Sequence, residues 1–300
     1  MLHRTTRPRL VRTRFALSLA IAGTTAAVAG CPDFDAVSRG GRPCDGGTRC
    51  GDICVDVESD PKNCGTCGNA CTTGRCGAGL AADMMTRPPD WVFNGMATYD
   101  GNTQSAVLIP ISTKGPAAGT VVYARPLATD TFDLTFDLTF DFRMGFGGGS
   151  RADGMGFMVE TAGTNAVGTA GSGLGMIGQG GYGVEFDIFD NAMCGDSSAN
   201  HVGIDSLVPC AGVQPTSLGV VDLGARVDLG DGQWHAAEVK AFAGKFTVLV
   251  DGTTLLVSVP LQGFTPSSPY YFGFSGSVGA GGGYRSEVRK VQLSFAPRCL

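Results

Sequence analysis

Between Thr131 and Phe142 an apolar side chain stands at every even position: Phe132, Leu134, Phe136, Leu138, Phe140 and Phe142. The odd positions carry only Thr and Asp. A period of two gathers these apolar groups on one face of an extended strand, whereas a helix would scatter them around its axis. The segment therefore predicts a long β-strand with one buried and one wet face. It is built from a repeated unit, Thr-Phe-Asp-Leu, and an even-numbered repeat lengthens a strand without moving any side chain to the other face.

Shorter runs of the same kind fill the chain from Trp91 to Phe295, broken by Gly, Pro, Asn and Asp. Val107–Ile109, Val121–Tyr123, Gly156–Val159, Val184–Phe189, His201–Ile204, His235–Val239, Phe246–Val250, Leu255–Val259, Tyr271–Phe274 and Val288–Phe295 read as strands. Val250-Asp251-Gly252-Thr253 reads as a hairpin turn. Helical periodicity is absent. About eleven strands over about 200 residues predict an all-β fold, one large antiparallel sandwich.

The N-terminus is of another kind. Arg4, Arg7, Arg9, Arg12 and Arg14 precede an apolar run, Phe15 to Ala29, that ends at Val28-Ala29-Gly30-Cys31. A basic region, a short apolar region and small residues before a cleavage point form an export signal over residues 1–30. The apolar run is shorter than the ~20 residues a membrane-spanning helix needs. Val-Ala-Gly-Cys resembles a bacterial lipobox, which implies a lipid on Cys31 and membrane attachment at the cell envelope or surface. The alternative is an ordinary secretory signal with Cys31 in a disulfide. Loss of the leader leaves 17 basic residues against 27 acidic ones, a net of −10. So acidic a chain repels phosphate backbones, which argues against nucleic-acid binding, and it is compatible with bound cations.

Residues 31–43 are polar and aperiodic and read as a tether. Residues 44–76 hold seven cysteines: Cys44, Cys50, Cys54, Cys64, Cys67, Cys71 and Cys76. So small a segment cannot fold on a core alone, and disulfides must replace one. Cys64-Gly-Thr-Cys67 could also suggest zinc or redox chemistry, but in an exported chain with no His nearby it reads as a structural disulfide. The run Cys54 to Cys71 resembles the Cys-rich module of stigma-specific-type proteins; similar modules occur in secreted myxobacterial proteins. Residues 77–89 read as a linker to the sandwich domain, 90–299. Cys194 and Cys210 flank one loop, which they would close, and a Cys76–Cys299 bridge would then join the two ends of the domain, although spacing alone fixes no connectivity.

The chemistry concentrates between Gly181 and Asp205. Glu185, Asp187, Asn191, Asp196 and His201 place five metal-type donors within seventeen residues. On a strand from Glu185, Asp187, Phe189 and Asn191 project from one face, while Phe186 and Ile188 point to the other. Neighbouring carboxylates remain jointly ionised only with a cation between them. Oxygen donors suit calcium; adding one imidazole suits manganese or another transition metal.

Glu-Phe-Asp-x-Phe-x-Asn, then Asp196, then His201 in His-Val-Gly-Ile-Asp, resembles the metal-binding segment of legume (L-type) lectins. Arg151-Ala-Asp-Gly-Met-Gly-Phe157 resembles that family's Ala-Asp-Gly segment, and Gly171-Ser-Gly-Leu-Gly175 its glycine-rich loop. The resemblance covers roughly 210 residues and implies a concanavalin A-like jelly roll that binds glycans and is not an enzyme. It implies that Glu185, Asp187, Asp196 and His201 hold manganese or another transition metal. Asp187, the Phe189 carbonyl, Asn191 and Asp196 would hold calcium. The sugar would meet Asp153, Asn191, a backbone N–H near Gly173, the Phe189 ring and a C-terminal loop around Ala280 and Gly281, and the Ala152–Asp153 peptide would be cis. Between Asn191 and Asp196 the chain is two residues longer than is usual in the family. An oligomer is compatible with this reading.

Plainer readings exist for single residues. Asp153 alone reads as a turn residue, His201 as a sheet histidine, Phe189 as core and Gly279–Gly283 as a flexible loop. His235 has no carboxylate pattern around it and reads as structural. Two other functions compete with the lectin reading. A laminarinase-type hydrolase needs a second carboxylate where Phe189 stands. A purely structural sandwich leaves Asp153 and the glycine-rich loop unexplained.

Overall fold

The alternating stretch forms β8, Phe136–Gly145, in which Phe136, Leu138, Phe140, Phe142 and Met144 are buried while Asp137 and Thr139 face solvent. The strand starts later than the pattern predicts. Leu134, though buried, has a left-handed φ of 51° that breaks the extended backbone before Phe136; residues 128–132 lie outside those described. The computed structural model describes residues 44, 46–72, 74–111, 113–127, 133–145, 151–192, 196–210, 215–266 and 269–299. The export signal, the tether and Cys31 lie outside the described residues.

Among the described residues a small hairpin pairs β1 (Thr48–Cys50) with β2 (Ile53–Val55), and two large antiparallel sheets face each other. One has seven strands in the order β12 (Pro215–Asp222), β11 (His201–Pro209), β10 (Tyr182–Asp187), β9 (Gly154–Glu160), β16 (Tyr271–Val278), β7 (Ala117–Tyr123) and β4 (Trp91–Gly95). The other has the order β15 (Thr253–Pro260), β14 (Lys245–Val250), β13 (His235–Phe242), β8, β17 (Arg285–Cys299), β6 (Ser105–Ile109) and β5 (Thr98–Asp100), with β3 (Cys76–Ala82) paired to the C-terminal half of β17. The fold is the predicted all-β sandwich. Asp251 and Gly252, with φ of 49° and 73°, make the predicted tight hairpin turn between β14 and β15.

An aromatic core joins the layers. Phe140 and Phe142 of one sheet meet Phe274 and Phe186 of the other, with ring centroids 4.8 and 4.6 Å apart. Trp91 closes the end against Phe272 at 5.1 Å. Each phenylalanine so buried contributes about 1.5–3 kcal/mol. A second, smaller cluster lies on the opposite side of the seven-stranded sheet: Val122, Met158, Leu174, Met176 and Leu207, with Tyr271 at its margin. Leu174 and Met176 belong to the segment between β9 and β10, so this cluster glues the glycine-rich loop onto the sheet's outer face. Gly156 makes that possible, because a β-carbon there would overlap the Met176 sulfur.

Two expectations about the N-terminal region are corrected. Residues expected as a linker, 77–89, begin instead inside a strand: β3 adds to the sheet and pairs Ala82 with Val291 and Leu80 with Leu293. The disulfides are Cys44–Cys54, Cys50–Cys67, Cys64–Cys76 and Cys71–Cys299. The two ends of the domain are tied as expected, but through Cys71 rather than Cys76. Cys76 and Cys299 are direct cross-strand neighbours, yet donor sulfurs of Cys64, Cys71 and Cys299 all lie within 4.8 Å of one another. Spacing cannot rank partners inside such a cluster. Cys210 is disulfide-bonded, and Cys194 lies outside the described residues.

Candidate functional site

Strand alternation builds the first half of the site. Tyr182, Val184 and Phe186 of β10 enter the core, which leaves Gly183, Glu185 and Asp187 on the outer face of the seven-stranded sheet. On β11, Val202 and Ile204 enter the core and His201, Gly203 and Asp205 share that outer face. Register sets Asp187 opposite His201 and Glu185 opposite Gly203. A β-carbon at position 203 would overlap the Glu185 carboxylate, so the glycine makes room for it.

The strand ends at Asp187, short of the predicted Phe189. Ile188 is still buried, but Phe189 and Asn191 are placed by a loop rather than by pleating. The loop is held by its own carboxylates: the Phe189 N–H donates to Asp187 Oδ1 at 2.6 Å, and the Asn191 N–H to Asp196 Oδ2 at 2.8 Å. Phe189 is 38% exposed, so it is not a core residue. Of the lengthened interval between Asn191 and Asp196, positions 193–195, Cys194 among them, lie outside the described residues.

Glu185, Asp187, Asp196 and His201 each present a donor atom within 4.8 Å of the others. His201 Nε2 lies 3.2 Å from Glu185 Oε1 and 3.5 Å from Asp196 Oδ1, and Nδ1 lies 2.5 Å from the Ser198 carbonyl. With Nδ1–H donating to that carbonyl, Nε2 is aimed at the carboxylates. Burial pushes the Asp187 carboxyl well above its usual range, and the charges of Glu185 and Asp196 add to it. Burial also opposes charging His201, but the hydrogen bond and charge of Glu185 and the charge of Asp187 outweigh it and lift its pKa to about 9. Three carboxylates and an imidazole compressed in this way form a donor set that fits a divalent cation. Asn191 Oδ1, buried and without a hydrogen-bond partner among the described residues, adds an oxygen at its edge.

The second half of the site comes from the start of β9. The Ala152–Asp153 peptide is cis, as expected. The Asp153 N–H donates to the Ser277 carbonyl at 3.2 Å, and its own carbonyl accepts the Ile188 N–H at 2.9 Å, which ties it to the acidic segment. The residue is 4% exposed, and Oδ2 has no partner among the described residues. Burial raises its pKa to about 6, with the Asp196 charge adding to the rise and a Gly279 N–H opposing it. Asp153 is therefore not a mere turn residue.

The expected glycine-rich loop forms a 3₁₀ turn, Gly171–Gly173, in which Gly173 is buried and Leu174 takes a left-handed φ of 49°. Ala280 and Gly281 are exposed at the tip of a turn closed by the Gly282 N–H donating to the Gly279 carbonyl at 3.0 Å. Gly279 itself abuts Asp153. His235 stays apart from this site and is held by Asp251 at 2.8 Å and Asp231 at 3.3 Å, in keeping with a structural role.

Two residues of the site were missed in the sequence. Gly203 is one. Asp205 is the other: it is buried beside Glu185, and burial first, then the Glu185 charge, raise its carboxyl pKa. Both were signalled only by their even spacing from His201, which puts them on the same face.

Residues 89–294 match the family model described as the legume lectin domain. Among solved structures, the chain is similar to a lectin from Bauhinia forficata in complex with GalNAc, at 21% identity and a TM-score of 0.59, over 72% of this chain and 96% of that one. It is similar to winged bean acidic lectin complexed with methyl-α-D-galactose at 19% identity and a TM-score of 0.60, over 73% and 98% of the two chains. The Ca2+-bound exoplasmic/lumenal domain of VIP36 matches at 15% identity and a TM-score of 0.55, over 72% and 89%. No curated protein matches the chain. With both sheets in place and the acidic cluster and the cis Asp153 peptide meeting on one face, the chain belongs to the legume lectin domain family, whose members bind carbohydrate and are not enzymes.

Proposed function

We propose that this protein is a metal-dependent carbohydrate-binding module displayed outside the cell by a lipid on Cys31. The observation that carries the reading is the buried Asp153, whose Oδ2 has no partner among the described residues and whose carbonyl holds the Ile188 N–H, at the head of the segment that bears the exposed Phe189 and the likewise unpartnered Asn191 Oδ1. Free buried acceptors cost about 1–3 kcal/mol each, and sugar hydroxyls would satisfy them. The Phe189 ring suits the apolar face of a sugar, and Ala280 and Gly281 stand at the rim, where they would meet its outer substituents. A backbone N–H near Gly173 would complete the polar contacts.

Glu185, Asp187, Asp196 and His201 would hold a transition metal such as manganese. Asp187, the Phe189 carbonyl, Asn191 and Asp196 would hold calcium. When bound, the cations neutralise the compressed carboxylates. Ile188, Phe189 and Asn191 would then stay tied to Asp153, Asp187 and Asp196 through the backbone N–H bonds described above. A shallow site of this kind binds one sugar on the order of millimolar, about 4 kcal/mol. Many anchored copies, or an oligomer, raise the effective affinity without new contacts. The test is a printed glycan array that includes GalNAc and methyl α-D-galactoside, the sugars of two similar lectins. Wild type is expected to mark a defined glycan subset and Asp153→Ala to mark none; equal signals for the two would overturn the assignment.

A further inference from the structure

We infer that Ser277, on β16, is the positioning residue that holds the two halves of the proposed sugar site in register, a role that rests on the carbohydrate-binding reading. Ser277 is 1% exposed and touches both halves at once. Its carbonyl accepts the Asp153 N–H at 3.2 Å, which fixes the cis peptide segment. Its hydroxyl donates to the Gly171 carbonyl at 2.6 Å, which fixes the first residue of the glycine-rich turn. The same carbonyl accepts the Leu174 N–H at 2.9 Å, so the turn and its attachment to the sheet share one oxygen. Ser277 is the cross-strand partner of Gly154, the residue after Asp153. Gly171 in turn lies against Gly279, and Gly279 against the Asp153 carboxylate. A closed circuit results: Asp153, Ser277, Gly171 and Gly279, joined on one side by the serine hydroxyl and on the other by the Gly279 N–H donating to the Asp153 carboxylate.

The geometry explains why a hydroxyl is needed there. The Gly171 backbone has a φ of 70°, and no side chain anchors the turn at its N-cap. Thr120 and Asn94 tie the earlier part of the segment to the sheet through the Ala166 and Thr164 carbonyls, and the small apolar cluster holds Leu174 and Met176; at Gly171 itself the tether is the Ser277 hydroxyl. Ser277 donates to none of Glu185, Asp187, Asp196 or His201, so its effect on sugar binding does not pass through the metal donors.

The test compares Ser277→Ala and Ser277→Thr with wild type by two measurements on the mature protein. Hydrogen exchange reads the amides of Leu174, Met176 and Ile177 against those of Val184 to Asp187, and the glycan array reads sugar binding. Ser277→Ala is expected to speed exchange in the turn alone and to weaken array binding roughly three- to tenfold, the worth of one hydrogen bond. Ser277→Thr, which keeps the hydroxyl, restores both. Unchanged exchange in Ser277→Ala, or equal loss in the threonine variant, would overturn the inference. If wild type marks no glycan, the carbohydrate reading fails while the exchange measurement still decides the role of Ser277.

Discussion

Asp153→Asn should make the protein more stable while abolishing the proposed binding. Asp153 ionises with a pKa raised from 3.8 to about 6, chiefly because it is buried. A carboxyl whose folded pKa is raised binds its proton more tightly in the native state, so stability is lost as pH climbs from the unfolded value through the folded one. At about 1.4 kcal/mol per pH unit, ionising Asp153 costs the fold about 3 kcal/mol at neutral pH. Asparagine keeps the shape and the acceptor for the Gly279 N–H but carries no charge. Thermal unfolding in EDTA, where no cation offsets the cost, is the assay. At pH 7 the variant should melt about 6–12 °C above wild type, since about 1 kcal/mol shifts a domain of this size by about 2–4 °C. Below about pH 3, where both states of the wild type are protonated, the gap should close. A gap of the same size at both pH values, or a variant less stable at pH 7, would refute the reasoning.

Further predictions follow from other parts of the molecule. Sugar binding should weaken as pH falls, because a protonated Asp153 loses its charge and one of its acceptors; titration calorimetry over a pH series with the cations held in excess measures it. Phe140→Ala removes a ring that touches both sheets and should cost about 3–5 kcal/mol in denaturant unfolding. Replacing Cys71 and Cys299 by serine opens a link across 228 residues and should cost roughly 2–5 kcal/mol, with the β3–β17 pairing gaining amide exchange first. Cys31→Ser should move the protein from the membrane to the soluble fraction if the lipid reading is right.

Much of the sandwich could be read from the sequence because sheets advertise themselves by a period of two, as in Phe136 to Phe142. The inward pair Phe186 and Ile188 and the outward pair Glu185 and Asp187 follow from the same rule. The rule gave out where pleating stops. Phe189 and Asn191 share the parity of Asp187, yet the chain leaves the strand after Asp187, and their positions come from backbone hydrogen bonds to carboxylates. Strand β3 was hidden because Gly77 to Ala82 is mostly Gly and Ala, without the apolar alternation that marks a strand; its pairing with β17 is a tertiary fact. Gly203 carries its meaning only once Glu185 is known to face it, and Ser277 only once the glycine-rich turn is seen above it. Contacts between distant segments leave no period in the chain.

The central claim is that the acidic cluster, once filled, holds the loops that bind sugar. The most direct measurement is the glycan array run on one preparation three ways: as purified, after EDTA, and after EDTA followed by calcium and manganese. Binding, loss and recovery are expected in turn, with β-sheet circular dichroism unchanged throughout. Array binding that persists at full strength in EDTA would contradict it.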